Sequence, residues 1–276
     1  MRHVLSTHAL VQHRLTIASL ERIREAGIGA IEIFCGRPHL DWSNKAQINE
    51  LGYWFRDSDL QLHSIHSPMY TDDVWGRSGP HSVINITEAS KPLRIQMADE
   101  IKRAIEIAEQ IPFRYLIQHF GVSGEEWSDR KVEYAFTALE DLRLFAAHRG
   151  VEILLENIPN RLSSPERLLN FLELTRLDMG FCFDTGHAHL NDGLEESWRL
   201  MKARVRSTHV HDNDGKSDTH LIPLVAKGGT IDWKRAMSLL REREADVPLL
   251  LELKETPEFP HIIEAAKESF DRLENV

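Results

Sequence analysis

Cysteine is nearly missing from these 276 residues: Cys35 and Cys182 stand alone, form no Cys-x-x-Cys pair and cannot build a disulfide framework. No apolar run approaches the roughly 18 residues of a membrane span, and the opening MRHVLSTHALVQHRL holds no apolar leader core. Both lacks predict a cytoplasmic protein with no membrane partner. Basic excess is lacking too, since 33 Lys and Arg stand against 43 Asp and Glu, a formal charge of -10. Nucleic-acid binders draw most of their nonspecific affinity from cations that neutralise phosphates, so nucleic acid is disfavoured and a small-molecule partner expected. That argument concerns the surface; divalent ions would make a site locally positive. No Gly/Ser linker or low-complexity tract interrupts the chain, and 42% hydrophobic with 28% charged residues is the balance of one globular domain over 1–276.

What is abundant is histidine, fifteen in all, of which His3, His13, His39, His148 and His261 fall in segments that read as surface or helix. The others cluster tellingly. Short apolar runs end in a potential metal ligand six times: SIH at His66, YLIQH at His119, EILLE at Glu156, FCFD at Asp184, STHVH at His211 and LLLE at Glu252. These runs alternate with helix-period segments, the pattern of repeated βα units. Strands are predicted near 2–7, 29–34, 61–66, 114–119, 151–156, 179–184, 206–211 and 248–253, and helices near 15–26, 44–57, 91–110, 128–149, 164–175, 194–203, 232–244 and 259–274. Eight units predict a single (β/α)8 TIM barrel with its active site at the C-terminal ends of the strands. The connections 67–90 and 212–230 are longer than a barrel needs, and each follows a ligand-terminated strand.

Side chains two apart on a strand share a face, so Asp184 falls with Cys182, Glu156 with Leu154 and Glu152, and His211 with His209. A buried carboxylate must be paired, hydrogen-bonded or bound to a cation. Glu156, Asp184, His211 and Glu252 therefore form a mixed oxygen and nitrogen set suited to Zn or Mn, with Mg or Co compatible. His66, His119, His187, Asp218 and His220 are further candidates for metal or substrate. His189 and His209 read as residues that orient ligands, Glu32 as an inward hydrogen-bonding group, and Trp233 as packing at the start of the seventh helix.

The runs Glu156-Asn157-Ile158-Pro159, Asp184-Thr185-Gly186-His187, HVHDNDGKSDTHL from His209 to Leu221, Ile231-Asp232-Trp233 and the final Glu252 together resemble the xylose isomerase-like TIM-barrel superfamily, over most of the chain. That superfamily contains sugar isomerases and epimerases as well as apurinic endonucleases of the endonuclease IV type. Resemblance to the sugar-acting members implies a divalent-metal-dependent isomerase or epimerase of a sugar, sugar phosphate or keto-polyol. One metal would sit on Glu156, Asp184, His211 and Glu252, and enediolate chemistry would run between Glu156 and Glu252 as the catalytic acid and base pair. His187 would bind a substrate hydroxyl, and His66, His119 and Trp75 would line the pocket. Resemblance to the endonuclease-type members implies instead a zinc phosphodiesterase with three ions on His66, His119, Glu156, Asp184, His187, His211, Asp218, His220 and Glu252. The acidic residues Asp72, Asp73, Glu125, Glu126, Asp212 and Asp214, expected at the rim, favour the sugar-acting alternative. Lys216 and Lys227 are the lysines within reach of a substrate phosphate, and a homo-oligomer in which the long third loop covers a neighbour's site is compatible with the sequence.

Overall fold

Strands that bury both faces need nearly unbroken apolar sequence, and the short Val, Ile, Leu and Phe runs provide it. The computed structural model describes residues 1–74 and 76–276; Trp75, the expected pocket residue, lies outside them. Eight strands run in order: β1 (His3–Ser6), β2 (Ala30–Phe34), β3 (Gln61–His66), β4 (Tyr115–His119), β5 (Glu152–Glu156), β6 (Gly180–Asp184), β7 (Val205–His209) and β8 (Leu249–Leu251). All pairings are parallel, in the order β7-β6-β5-β4-β3-β2-β1-β8. The last seam is closed by a single parallel bridge between Val210 and Leu251, with Val210 N–H donating to Leu250 O at 2.8 Å. The result is a single (β/α)8 barrel.

The helices are α1 (Ile17–Glu25), α2 (Lys45–Asp57), α3 (Lys91–Ile105), α4 (Asp129–Ala147), α5 (Pro165–Thr175), α6 (Thr185–Leu190), α7 (Leu194–Met201), α8 (Trp233–Leu240) and α9 (Ile262–Glu274). Their starts follow local chemistry. Thr16, Asn44 and Asp232 each accept a backbone N–H of the first turn, and Pro165 opens α5 where its missing N–H costs nothing. Alternation sorts the strand residues as predicted: Phe181, Phe183, Ile153 and Leu155 pack outward against the helices, whereas Tyr115, Ile117, Leu154 and Cys182 form a separate layer inside the barrel. Cys35 and Cys182 are buried free thiols. No described helix is long and apolar enough to cross a membrane.

Three surface assignments are corrected. His39 is fully buried, its ring held between Thr7 Oγ1 at 3.0 Å and the His13 carbonyl at 2.6 Å, because the chain after β2 folds back over the start of the barrel. Asp212 is buried as well, and its carboxylate accepts from the backbone N–H groups of Asn213, Thr230 and Ile231 and from the Trp233 indole at 2.6 Å. Glu125 is bound inward by Thr87, Asn85 and Val122 N–H and by Lys131 at 2.8 Å. Asp212 and Glu125 are therefore scaffold and contribute little to an acidic rim.

Candidate metal centre

Each parallel strand delivers its last inward residue to the same end of the barrel, and there the polar side chains meet. They form three abutting groups whose donor atoms lie within 4.8 Å of one another: His66, His119 and Glu156; Glu156, Asp184, His209 and Glu252; and His187, His211, Asp218 and His220. Glu156 belongs to two of them. Its Oε1 is 2.9 Å from His209 Nδ1, while Oε2 faces His119 Nε2 at 3.2 Å and His66 Nε2 at 3.7 Å and has no well-formed hydrogen bond among the described residues. His209 Nδ1 is also 3.4 Å from Glu252 Oε2 and 3.9 Å from Asp184 Oδ2. The sequence grouped His211 with Glu156, Asp184 and Glu252; in the structure His209 sits among those three carboxylates. His211 keeps one link, Nε2 to Asp184 Oδ2 at 3.1 Å, and otherwise belongs with the residues of the seventh loop.

The imidazoles are oriented from behind. A carbonyl oxygen only accepts, so a ring nitrogen within bonding distance of one must carry the proton. His66 Nδ1 donates to Ser67 O at 2.8 Å, His187 Nδ1 to Asn157 O at 3.0 Å, and His220 Nδ1 to Glu252 O at 3.0 Å. Each therefore turns Nε2 inward. Those Nε2 atoms meet acceptors: Asp218 Oδ2 lies 3.1 Å from His187 and 3.3 Å from His220, and the Nε2 atoms of His66 and His119 lie 3.3 Å apart. Lone pairs facing carboxylates and each other need a shared cation, either a proton or a metal, and rings with Nδ1 tied to carbonyls are arranged as metal ligands usually are. The donor set and the unpartnered Glu156 oxygen fit a divalent ion.

Electrostatics agree. Burial opposes ionisation of Glu156, yet His209, His119 and His187 beside it hold the carboxyl well below the usual range. Burial opposes protonation of His187, but Asp184, Asp218 and Glu156 raise it well above an ordinary histidine, and Asp218 with Glu252 pushes the buried His220 up to about 9. Protonated rings balance the carboxylates when no metal is bound. Divalent ions could take over that charge.

Supporting residues hold the strand ends in place. Asn157, next to Glu156, uses its amide to donate to Asp184 O at 3.0 Å and accept from Asp184 N at 2.9 Å, so β5 and β6 stay paired beyond the ladder. Asp184 caps α6 by accepting the His187 backbone N–H at 2.6 Å, which ties the Asp-Thr-Gly-His motif into a turn. A Cβ on Gly186 would lie 2.0 Å from His211 Cε1, so only glycine admits that ring. Glu32 is buried beneath the cluster, accepting from Ser64 Oγ at 2.8 Å and lying 3.2 Å from His209 Nε2. Trp233 packs at the start of α8, and His189 bonds Thr230 Oγ1 at 2.9 Å. His220 holds a left-handed backbone, φ +48°, uncommon for a residue with a side chain and a mark of local strain.

Above the cluster opens a cavity of about 360 Å³. His66, His119, His187 and Asp218 form its polar floor, and Met69, Val83, Ile84 and Ile158 its apolar wall; no described lysine or arginine lines it. Lys216 and Lys227 are exposed elsewhere in their loop. Sequence reasoning passed over His8, a buried residue whose ring centroid is 4.8 Å from that of His220 and whose Nδ1 donates to Leu253 O at 2.9 Å. It follows β1 in a short helical turn, so no strand-ending pattern could flag it.

A closed eight-stranded barrel with imidazoles and carboxylates gathered at its C-terminal mouth defines the TIM-barrel class of scaffolds. A family model for the xylose isomerase-like TIM barrel matches residues 20–276, and the chain belongs to that family. A solved D-tagatose 3-epimerase-like protein is 24% identical with TM-score 0.77, over 100% of this chain and 96% of that one. The solved IOLI protein, which holds a zinc atom, is 17% identical with TM-score 0.78, over 99% and 98%. The uncharacterised protein y4fM of Sinorhizobium fredii is 24% identical over 85% of this chain and 79% of its own. At such identities the solved structures show the fold.

Proposed function

We propose that the chain, as one domain over 1–276, is a divalent-metal-dependent isomerase or epimerase of a small, uncharged sugar-like molecule. The observation that carries this is the cavity: monosaccharide in scale, floored by ligand residues, walled by apolar ones and, among the described residues, without a lysine or arginine. A sugar presents hydroxyls to the floor and C–H faces to the wall. The family and the epimerase-like neighbour support the same chemistry.

Glu156, Asp184, Glu252 and either His209 or His211 would hold the metal, zinc or manganese. A bound divalent ion supplies Lewis acidity, polarising substrate oxygens so that the adjacent C–H becomes acidic. Glu156 would move that proton. Its Oε2 lies against His66 and His119, which line the cavity, and neighbouring imidazoles keep it ionised. Glu252 reaches the same His209 nitrogen from β8 and is the partner acid. His187 and Asp218 on the floor bind substrate hydroxyls, and the apolar wall excludes competing water.

A second reading, a multinuclear zinc phosphodiesterase, is favoured by one observation: three ligand groups abut one another, two of them sharing Glu156. Metal content joined to turnover separates the two. One ion per chain and deuterium wash-in from solvent at the carbon next to a ketose carbonyl, lost in Glu156→Gln and Glu252→Gln, is expected. Three zinc ions with nicking of abasic duplex DNA would replace the first reading by the second.

A further inference from the structure

At the opposite, N-terminal end of the barrel lies a second cavity of about 360 Å³, sharing no lining residue with the first. Arg2 and Arg114, just ahead of β1 and β4 respectively, and Arg206 at the start of β7 converge on it, with His63 and Tyr115 also lining it. Among the described residues none of these arginines forms an ion pair, although most of the chain's other arginines do. Two carboxylates line the rim: Asp246 is taken by Arg243 Nε at 2.9 Å, while Glu244 has no ion-pair partner among the described residues.

Two irregularities in the barrel build this mouth. Ile31 pairs with Leu62 but Glu32 with Ser64, so His63 is an extra residue in β3; Phe181 pairs with Val205 but Cys182 with Ser207, so Arg206 is an extra residue in β7. Such bulges re-aim side chains. The two sit on opposite sides of the barrel and meet, with His63 Nε2 3.3 Å from the buried Ser207 Oγ. Gly180 leaves room for the second, since a Cβ there would come within 2.9 Å of Arg206 Cγ. Burial chiefly, with smaller contributions from the charges of Arg2 and Arg114, pushes His63 down to about 4 against the pull of Glu32.

We propose that the N-terminal mouth of the barrel is an anion-binding site for a phosphorylated small molecule, separate from the metal centre. Three guanidiniums suit the three peripheral oxygens of a phosphate monoester, each in a fork geometry that accommodates two oxygens. His63, neutral in the lining, presents a ring nitrogen to the same group. The sites do not depend on each other: the mouth holds whether the metal centre isomerises a sugar or cleaves a phosphodiester.

The test is titration of the purified, metal-loaded protein with inorganic phosphate, followed by calorimetry and by the His63 ring signals in NMR. Saturable binding is expected, with an upward shift in the His63 titration, and the Arg114→Gln/Arg206→Gln pair should weaken it by about tenfold or more. Glu244→Gln should tighten it, and Glu156→Gln should leave it unchanged. These arginines are exposed or half-buried, and an unchanged unfolding temperature in chloride buffer verifies that the variants fold. Phosphate binding that survives the double arginine variant or disappears with Glu156→Gln would overturn the assignment. So would succinate binding more tightly than phosphate, or no phosphate binding at all.

Discussion

Gly186→Ala puts the geometry of the metal centre to a direct test. The glycine lies in the second position of α6, and an added methyl would stand 2.0 Å from Cε1, 2.5 Å from Nδ1 and 2.6 Å from Nε2 of His211. Ordinary contact begins near 3.4 Å, so the ring or the helix must retreat by about 1.4 Å. The His211 ring is fully buried and is tied to Asp184 at 3.1 Å, and α6 is tied to the same carboxylate through the His187 N–H. Any retreat therefore breaks a hydrogen bond around Asp184. Overpacking of this kind costs about 1–3 kcal/mol, and displacing a residue that holds or orients a ligand weakens metal binding by roughly 10- to 100-fold. Gly29→Ala is the control, since no atom lies within 4 Å of its added methyl. Thermal unfolding in chelator and competitive zinc titration read the two effects separately. An unfolding temperature and a zinc affinity that both match the parent protein would refute the placement of His211 against α6.

Three further outcomes are expected. Asp212→Asn swaps an oxygen that accepts backbone N–H groups or the Trp233 indole for a donor, and should cost about 1–3 kcal/mol in urea unfolding while reducing kcat through the displaced seventh loop; a neutral result would contradict the four-bond network. His39, held down to about 4 chiefly by burial, makes stability fall as pH drops from about 6.5, where the unfolded ring begins to take up a proton, to about 4, where the folded ring follows. The loss reaches about 3 kcal/mol at the acid end and vanishes above about pH 7; His39→Gln should flatten that part of the stability profile, and parallel profiles would sink the assignment. Removing metal with a chelator should lower the unfolding temperature, and restoring zinc or manganese at 100 times its Kd should return about 2.7 kcal/mol; calorimetric scans with and without metal measure it.

The strands were legible because six of the eight runs pair an apolar stretch with a polar terminus, and two-residue alternation then separated Phe181 and Phe183, outside, from Leu154 and Cys182, inside. Helix starts were legible where a cap residue or proline marks them, as at Asp232 and Pro165. The bulges at His63 and Arg206 were not, since an extra residue in one strand shows only against the register of its neighbour. Nor was the burial of His39, Asp212 and Glu125, each of which depends on partners 18 to 40 residues away, such as Thr7 for His39, Thr230 for Asp212 and Asn85 for Glu125.

The histidines show the same division. That His209 and His211 share a face at the end of a strand follows from local periodicity, a property of bond geometry. Which of the two stands between Glu156 and Glu252, and which turns toward His187, Asp218 and His220, depends on the curvature of the closed barrel and the path of the seventh loop. Cysteine scarcity, absent spans and acidic balance likewise narrowed the class of protein without describing a site. Only the closing of the barrel brings His209 and Glu32, 177 positions apart, to within 3.3 Å, because a barrel has to complete its circle before its strand ends can face one another.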